Sequence, residues 1–144
     1  MFEPDYLELT YYTLSHPDPA FIHQQVVDAQ TAQTATTDTK PLALTFALTG
    51  LFLYLEKGFT GKEVQDFHVF MSKNKTTWPD LFIPERNCTL SVHDVLQEQP
   101  GITRDQKIRE WCLAVWASYL PVQSKLKNFL SEKGFFHQTG PIKK

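Results

Sequence analysis

The longest apolar stretch of the chain runs from Pro41 to Gly58 and carries no charge between Leu42 and Leu55. Its apolar residues fall on every side of a helical wheel, and a helix that is apolar all round must be buried all round. The stretch is shorter than the roughly 20 apolar residues that cross a bilayer. Pro41 suits a first helical turn, and Gly58 suits the left-handed position after the last turn. The pattern predicts a buried central helix over residues 41–57.

Apolar residues spaced three and four apart predict two helices before this stretch. The first spans residues 5–15, and the second begins at Asp18 and Pro19, which supply a cap and a preformed first turn. The buried stripe is expected to consist of Leu7, Tyr11 and Leu14 in the first helix and of Ile22, Val26, Ala29 and Gln33 in the second. A polar loop over residues 34–40 then leads to the central helix.

Two segments of the form Thr-x-x-Glu or Thr-x-x-Gln mark later helix starts, at Thr60 and at Thr103. The first predicts a helix to about Lys73, with one seam made of Val64, Phe67, His68 and Met71. The second predicts the longest helix of the chain. Pro121 lacks a backbone donor, so we expect a kink or a break there before the apolar seam continues to Gly134.

The region between these two helices is rich in proline. Pro79 and Pro84 each disfavour helix at the residue before them, which predicts an ordered, aromatic-anchored loop over residues 74–84. Loops on rigid scaffolds commonly carry function, so this segment is the one expected to touch a ligand. Ser91 can cap a short helix through Gln97, and a brief strand over residues 90–92 is the alternative.

Together the patterns predict an all-α fold. The 144 residues suit one domain with one core. We expect a single-domain bundle of about five to six helices over residues 1–144, packed around the central helix, with a disordered tail over about 138–144.

Charge and composition narrow the functional classes. The formal net charge of −2 gives no general attraction for phosphate backbones, which argues against nucleic-acid binding. No apolar run is long enough to predict a membrane segment, and the N-terminus has no signal-like pattern, so we expect a cytoplasmic protein. The two cysteines have no metal-type spacing, and Cys112 is expected to be a small buried residue.

Four pieces of the chain, taken in their order, carry a family resemblance. They are His23-Gln-Gln-Val-Val-Asp-Ala29, Gly50-Leu-Phe-Leu-Tyr-Leu-Glu56, Trp78-Pro79 with Pro84, and Trp111 with Val115-Trp116. Over roughly residues 6–130 the chain resembles a bacterial all-helical family known only as a domain of unknown function. That family often has a Tyr and a second His after the Val-Asp-Ala segment, where this chain has Gln30 and Thr34. The resemblance implies an all-helical domain and supplies no activity.

Two histidines and two carboxylates are the candidate metal ligands. If the helices pack antiparallel, their side chains meet near one end of the bundle, and such ligands on facing helices bind transition metals. The four candidates are His23, Asp28, Glu56 and His68. The His-Glu-x-x-His and paired Glu-x-x-His motifs are absent. The alternatives are partly buried histidines hydrogen-bonded to backbone or to an acid, and a His–carboxylate acid/base pair.

The tryptophans are the candidate pocket residues. Trp78 lies on the proline-rich loop, and Trp111 and Trp116 lie on the longest helix, where core packing is the alternative to lining a ligand pocket. Gly-x-Ser-x-Gly and glycine-rich phosphate motifs are absent. We therefore expect a small cytoplasmic binding or interaction protein without cofactor or catalytic motif, whose partner is a small ligand or a protein. A metal-assisted enzyme with a transition metal between helices is the alternative.

Overall fold

The fold is all-α, as predicted. The computed structural model describes residues 4–15, 23–74, 76–85, 88–137 and 140–141. This part of the chain forms seven helices, α1 (Pro4–Ser15), α2 (His23–Thr34), α3 (Pro41–Glu56), α4 (Gly61–Ser72), α5 (Val92–Leu96), α6 (Ile102–Ala117) and α7 (Leu120–Glu132). The predicted kink or break at Pro121 is a break: α6 ends at Ala117 and α7 begins at Leu120, with Pro121 in its first turn, which gives the described part of the chain seven helices rather than five to six.

A short antiparallel pair, β1 (Phe136–His137) and β2 (Gly140–Pro141), follows α7. The rest of the tail expected to be disordered lies outside the described residues. The predicted start of the second helix at Asp18 and Pro19, with Ile22 of its stripe, lies outside them as well.

The central helix α3 is confirmed. It contacts α2, α4, α6 and α7. Leu48, Leu51 and Leu53 are fully buried, so its middle is apolar and enclosed on all sides. The helix begins at Pro41 and ends at Glu56, and Gly58 follows with a φ of 71°. Glycine adopts this left-handed conformation without the clash that a Cβ would cause.

The buried face of α1 is not the predicted one. Leu7, Tyr11 and Leu14 point outward, with Tyr11 75% exposed. The face that packs on α2 and α5 carries Leu9 and Thr13 instead. Both sides of this short helix bear apolar residues, so spacing alone could not decide which of them meets the core.

The helix starts are stabilised in different ways. The predicted capping box at Thr60 is present, with hydrogen bonds exchanged between Thr60 and Glu63. The predicted cap at Thr103 is wrong: α6 begins one residue earlier, at Ile102, and Gly101 is its N-cap with a φ of 105°. The backbone N–H of Gly101 donates to the Tyr12 hydroxyl at 3.0 Å, and that of Arg104 donates to the Gln99 carbonyl at 3.0 Å, so a side chain of α1 and the preceding loop together satisfy donors at this helix start.

The segment around Ser91 forms helix α5, so the strand alternative over residues 90–92 is wrong. The Asp94 carboxylate accepts the Ser91 N–H at 2.9 Å and satisfies one donor at the helix start. Residues 76–85 form no helix or strand, as expected for the proline-rich loop. This loop is anchored by Leu81, which is buried, and by the half-buried Trp78.

Candidate functional site

Two of the four predicted metal ligands, Asp28 of α2 and His68 of α4, meet at one point on α3. That point is Gly50, which has no side chain. A Cβ on Gly50 would lie 1.9 Å from Asp28 Oδ2 and 3.3 Å from His68 Cε1. The glycine lets the Asp28 carboxyl sit against the α3 backbone, because any side chain at residue 50 would overlap it.

Asp28 is a buried acid, and only one of its two carboxyl oxygens has a hydrogen-bond partner among the described residues. Its Oδ1 accepts from Gln24 Nε2 at 3.1 Å, and its Oδ2 has no hydrogen-bond partner among the described residues. Burial raises the pKa of Asp28 well above its ordinary value, and the Gln24 hydrogen bond opposes that rise only in part. The carboxyl therefore binds its proton more tightly than an exposed aspartate does.

His68 is held by the backbone of α3. Its Nε2 lies 2.9 Å from the carbonyl oxygen of Phe46, and a carbonyl only accepts, so Nε2 carries the proton and Nδ1 is the unprotonated nitrogen. Burial lowers the pKa of His68, and this hydrogen bond partly offsets the decrease. His68 is thus a neutral imidazole next to an acid that tends to stay protonated.

Helix α6 completes the surroundings of Asp28. The Cys112 thiol is buried, and its Sγ lies 3.7 Å from the carbonyl oxygen of Gln25, one turn before Asp28. Burial, and then the negative charge of a nearby Asp28 carboxylate, raise the pKa of this thiol, while Arg109 lowers it. Cys112 is a buried thiol that does not ionise at neutral pH, as expected from the sequence.

The other two predicted ligands make separate contacts. His23 Nδ1 lies 2.9 Å from the Thr13 hydroxyl, which links α2 to α1. Glu56 accepts from Trp116 Nε1 at 2.7 Å and pairs with Lys127 at 3.0 Å. Within the described residues, no three His, Cys, Asp or Glu side chains come together in a group that could hold a metal ion. The metal site therefore stays a prediction. Of its four proposed ligands, Asp28 and His68 lie next to each other at Gly50, whereas His23 and Glu56 have other partners.

Trp111 and Trp116 pack in the core rather than around a pocket. They are 0% and 5% exposed. The Trp111 indole donates to Gln33 Oε1 at 2.9 Å, and that of Trp116 donates to Glu56. Each buried N–H therefore has an acceptor, which is how tryptophan is accommodated inside proteins. These contacts also explain the polar residue in the stripe of α2, since Gln33 bonds Trp111 and the Leu90 carbonyl.

Trp78, by contrast, lines an open groove. The groove has a volume of about 580 Å³ and lies between the first two turns of α3 and the chain that leaves α4. It is lined by Leu42, Ala43, Phe46, Ser72, Asn74, Thr76 and Trp78. Its size falls in the usual range for small-molecule sites, and its mixture of aromatic, aliphatic and a few polar residues is typical of them.

The aromatic wall of this groove is fixed from behind. The rings of Trp78 and Phe46 meet edge to face at 5.3 Å, and the centroids of Phe46 and His68 are 5.2 Å apart. Trp78 also packs on Phe129 and stacks on Phe135. Rings held on several sides present a preformed apolar surface, which lowers the entropy lost when a ligand binds.

Two further grooves have a different character. One of about 480 Å³ includes Glu85, Cys88 and Ser118, and one of about 530 Å³ includes Lys125, Asn128 and Glu132. Among the described residues, the first has no aromatic ring in its lining and the second has one, Phe129, so neither offers a pair of rings like that of Trp78 and Phe46. The α3 groove is the candidate ligand site.

Sequence reasoning placed Trp78 among the pocket residues but missed Leu42 and Phe46, which were assigned to the buried side of the central helix. The signal for Leu42 was its position in the first helical turn, where a helix end often reaches the surface. The signal for the Asp28 contact was Gly50, because a glycine in the middle of a helix marks a close approach.

Comparisons with known proteins agree with this all-helical domain. Residues 4–120 match a family whose description is "Family of unknown function (DUF5946)". No curated protein and no solved structure matches the chain. In the part of the chain that the structure describes, no helix combines the length and the apolar character that a membrane crossing needs.

Proposed function

We propose, for a chain that belongs to the family of unknown function DUF5946, that it is a small-molecule-binding protein. The observation that carries this proposal is the preformed groove beside α3, with its wall of Trp78 and Phe46. A cytoplasmic and bacterial setting is part of the same proposal, and it rests on the sequence patterns alone.

The groove supports binding of a flat apolar body. Leu42 is 44% exposed at its edge, where a large apolar side chain gains by being covered. Each Å² of apolar surface removed from water contributes about 25 cal/mol. Ser72, Asn74 and Thr76 stand at the rim and can orient a ligand by hydrogen bonds.

The test is to block the groove without touching the core. Ala43 is exposed in the groove, so Ala43→Trp fills the space and leaves the buried face of α3 intact. Ala117 is an exposed alanine in the 480 Å³ groove on α6, and Ala117→Trp is the matched control. With 2-naphthoate as the probe, calorimetry should give a Kd below about 1 mM for the unmodified protein and for Ala117→Trp.

Ala43→Trp should lose this binding while it retains the circular dichroism spectrum and melting temperature of the unmodified protein. Absence of binding to the unmodified protein at about 1 mM naphthoate would overturn the proposal. If Ala43→Trp binds the probe as tightly as the unmodified protein does, the probe binds outside the α3 groove, and the groove is not the ligand site.

A second candidate function is metal-assisted catalysis, and one observation favours it. Asp28 Oδ2 has no partner among the described residues, and the unprotonated Nδ1 of His68 belongs to a ring beside the same glycine. The metal content of purified protein tests it: about one equivalent of a transition metal that disappears in Asp28→Asn supports this function. Metal content far below one equivalent after incubation with Zn²⁺ and removal of excess ion contradicts it.

A further inference from the structure

The two segments that form the α3 groove have an unusual charge balance. Residues 40–46 and 69–79 contain three lysines, at positions 40, 73 and 75, and no Asp or Glu. The chain as a whole has 16 acidic and 14 basic residues. Segments that carry lysines and no carboxylate favour a local positive potential at the groove, while Asp38 and Asp80 lie just outside them in the sequence.

Two of these lysines are in the part of the chain that the structure describes, and both are exposed. Lys40 directly precedes α3, and Lys73 lies between the groove residues Ser72 and Asn74. In that described part, neither lysine forms an ion pair, whereas Lys62, Lys107 and Lys127 each pair with a carboxylate. Neither charge is therefore paired with a carboxylate in that part of the chain, and Lys73, the C-cap of α4, lies at the negative end of that helix's dipole.

The start of α3 adds to the same potential. Lys40, its N-cap, makes no side-chain hydrogen bond to the helix, and Pro41 has no N–H. The N–H groups of Leu42 and Ala43 belong to the first turn, where no helical carbonyl can accept them, and both residues line the groove. The positive end of the helix dipole lies at this first turn.

From the groove and this charge balance together, we infer that the ligand is a small amphiphilic anion, with a flat apolar body against Trp78 and Phe46 and one acidic group directed to Lys40, Lys73 and the start of α3. This inference rests on the proposed function, because it names the ligand class of the same groove. The apolar body of the ligand gains affinity because its surface is removed from water, and the acidic group gives selectivity among molecules of similar shape.

A pair of probes that differ only in charge tests the inference. 2-Naphthoate and 2-naphthamide have the same ring system, but only the first is an anion at neutral pH. Because two exposed lysines and a helix start each favour the anion modestly, the naphthoate should bind about tenfold more tightly than the amide at low salt. Most of this preference should disappear at about 1 M salt, where the screening length is near 3 Å.

The matched variants are two doubly substituted proteins with the same change in net charge. Lys40→Gln with Lys73→Gln should bring naphthoate affinity close to that of the amide and leave the amide unchanged. Lys62→Gln with Lys107→Gln removes two lysines that pair with their own neighbours, Asp66 and Glu110, and should leave both affinities unchanged.

The outcomes separate the inference from the proposed function. If both probes bind equally well, and Ala43→Trp abolishes both, the groove is a ligand site but the inference of an anionic ligand is overturned. If neither probe binds at about 1 mM, the proposed function and the inference fall together. A preference for naphthoate that is undiminished in the Lys40 and Lys73 variant would assign the selectivity to other groups and overturn the inference as stated.

Discussion

Asp28 shows how one side chain can make stability depend on pH. A carboxyl whose pKa is raised in the folded state holds its proton at pH values where the unfolded chain has lost it. The folded state then binds more protons than the unfolded state, so the free energy of unfolding falls as pH rises above about 4, the unfolded value. His68, whose pKa is lowered, acts in the opposite direction and costs stability below about pH 6.5.

Asp28→Asn isolates the carboxyl, because an amide of nearly the same shape cannot ionise. Relative to the unmodified protein, the variant should gain stability as pH rises above about 4, by about 1.4 kcal/mol for each pH unit until the folded-state pKa is reached. Chemical denaturation at several pH values measures this difference. Asp38→Asn, an exposed loop position, is the control and should show no such trend. A pH-independent difference for Asp28→Asn would mean that the folded-state pKa of Asp28 is not raised above the unfolded one.

Sequence reasoning chose the right residue types at this scale but not their partners. The pattern placed His68 on an inward-facing seam and left Asp28 outside the buried stripe, and the structure brings both to Gly50. His23 and Glu56 could not be separated from them by spacing alone, because their contacts with Thr13 and Trp116 depend on which helices are neighbours. Hydrogen-bond partners far apart in the sequence are set by packing, which a local pattern does not contain.

At the scale of elements, starts and ends were predictable where the signal is local. Pro41, the Thr60 capping box and the break at Pro121 each act within one turn of the chain. The start of α6 was not, because one of its donors, the Gly101 N–H, is satisfied by Tyr12, a side chain 89 residues earlier in the sequence. The same holds for the buried face of α1, which is decided by α2 and α5.

Tyr12→Phe tests this long-range cap. The hydroxyl accepts the Gly101 N–H at 3.0 Å and donates to Asp105 at 2.7 Å, so its removal leaves a donor at the helix start without a partner. We expect a loss of about 1–2 kcal/mol and a lower melting temperature by about 3–8 °C. Hydrogen exchange should increase at the first turn of α6. Tyr11→Phe, at a position 75% exposed on the same helix, should change neither quantity, and an equal effect of both variants would contradict the cap.

At the scale of the whole molecule, the organisation around α3 followed from the sequence, because a helix without a polar side has only one stable location. The α3 groove did not follow in the same way. Its walls come from residues 42–46 and 72–78, and they face each other only because α3 and α4 pack together and the proline-rich loop returns over them. The sequence indicated the loop and Trp78, while the opposite wall required the fold.

The contrast between α3 and α1 gives the last prediction. Leu48 is fully buried in the middle of α3, so Leu48→Asp places an unpaired charge in the core at a cost of several kcal/mol. That cost is comparable to the total stability of a domain, which is about 5–15 kcal/mol, and should abolish folding. Leu14 was expected to be buried but is 63% exposed, so Leu14→Asp should alter stability by less than about 0.5 kcal/mol. Soluble yield and thermal melts followed by circular dichroism distinguish the two variants.

Cooperative melting of Leu48→Asp near the temperature of the unmodified protein would show that α3 is not the centre of the fold. Failure of Leu14→Asp to fold would show that the face of α1 with Leu14 is buried, as the spacing suggested.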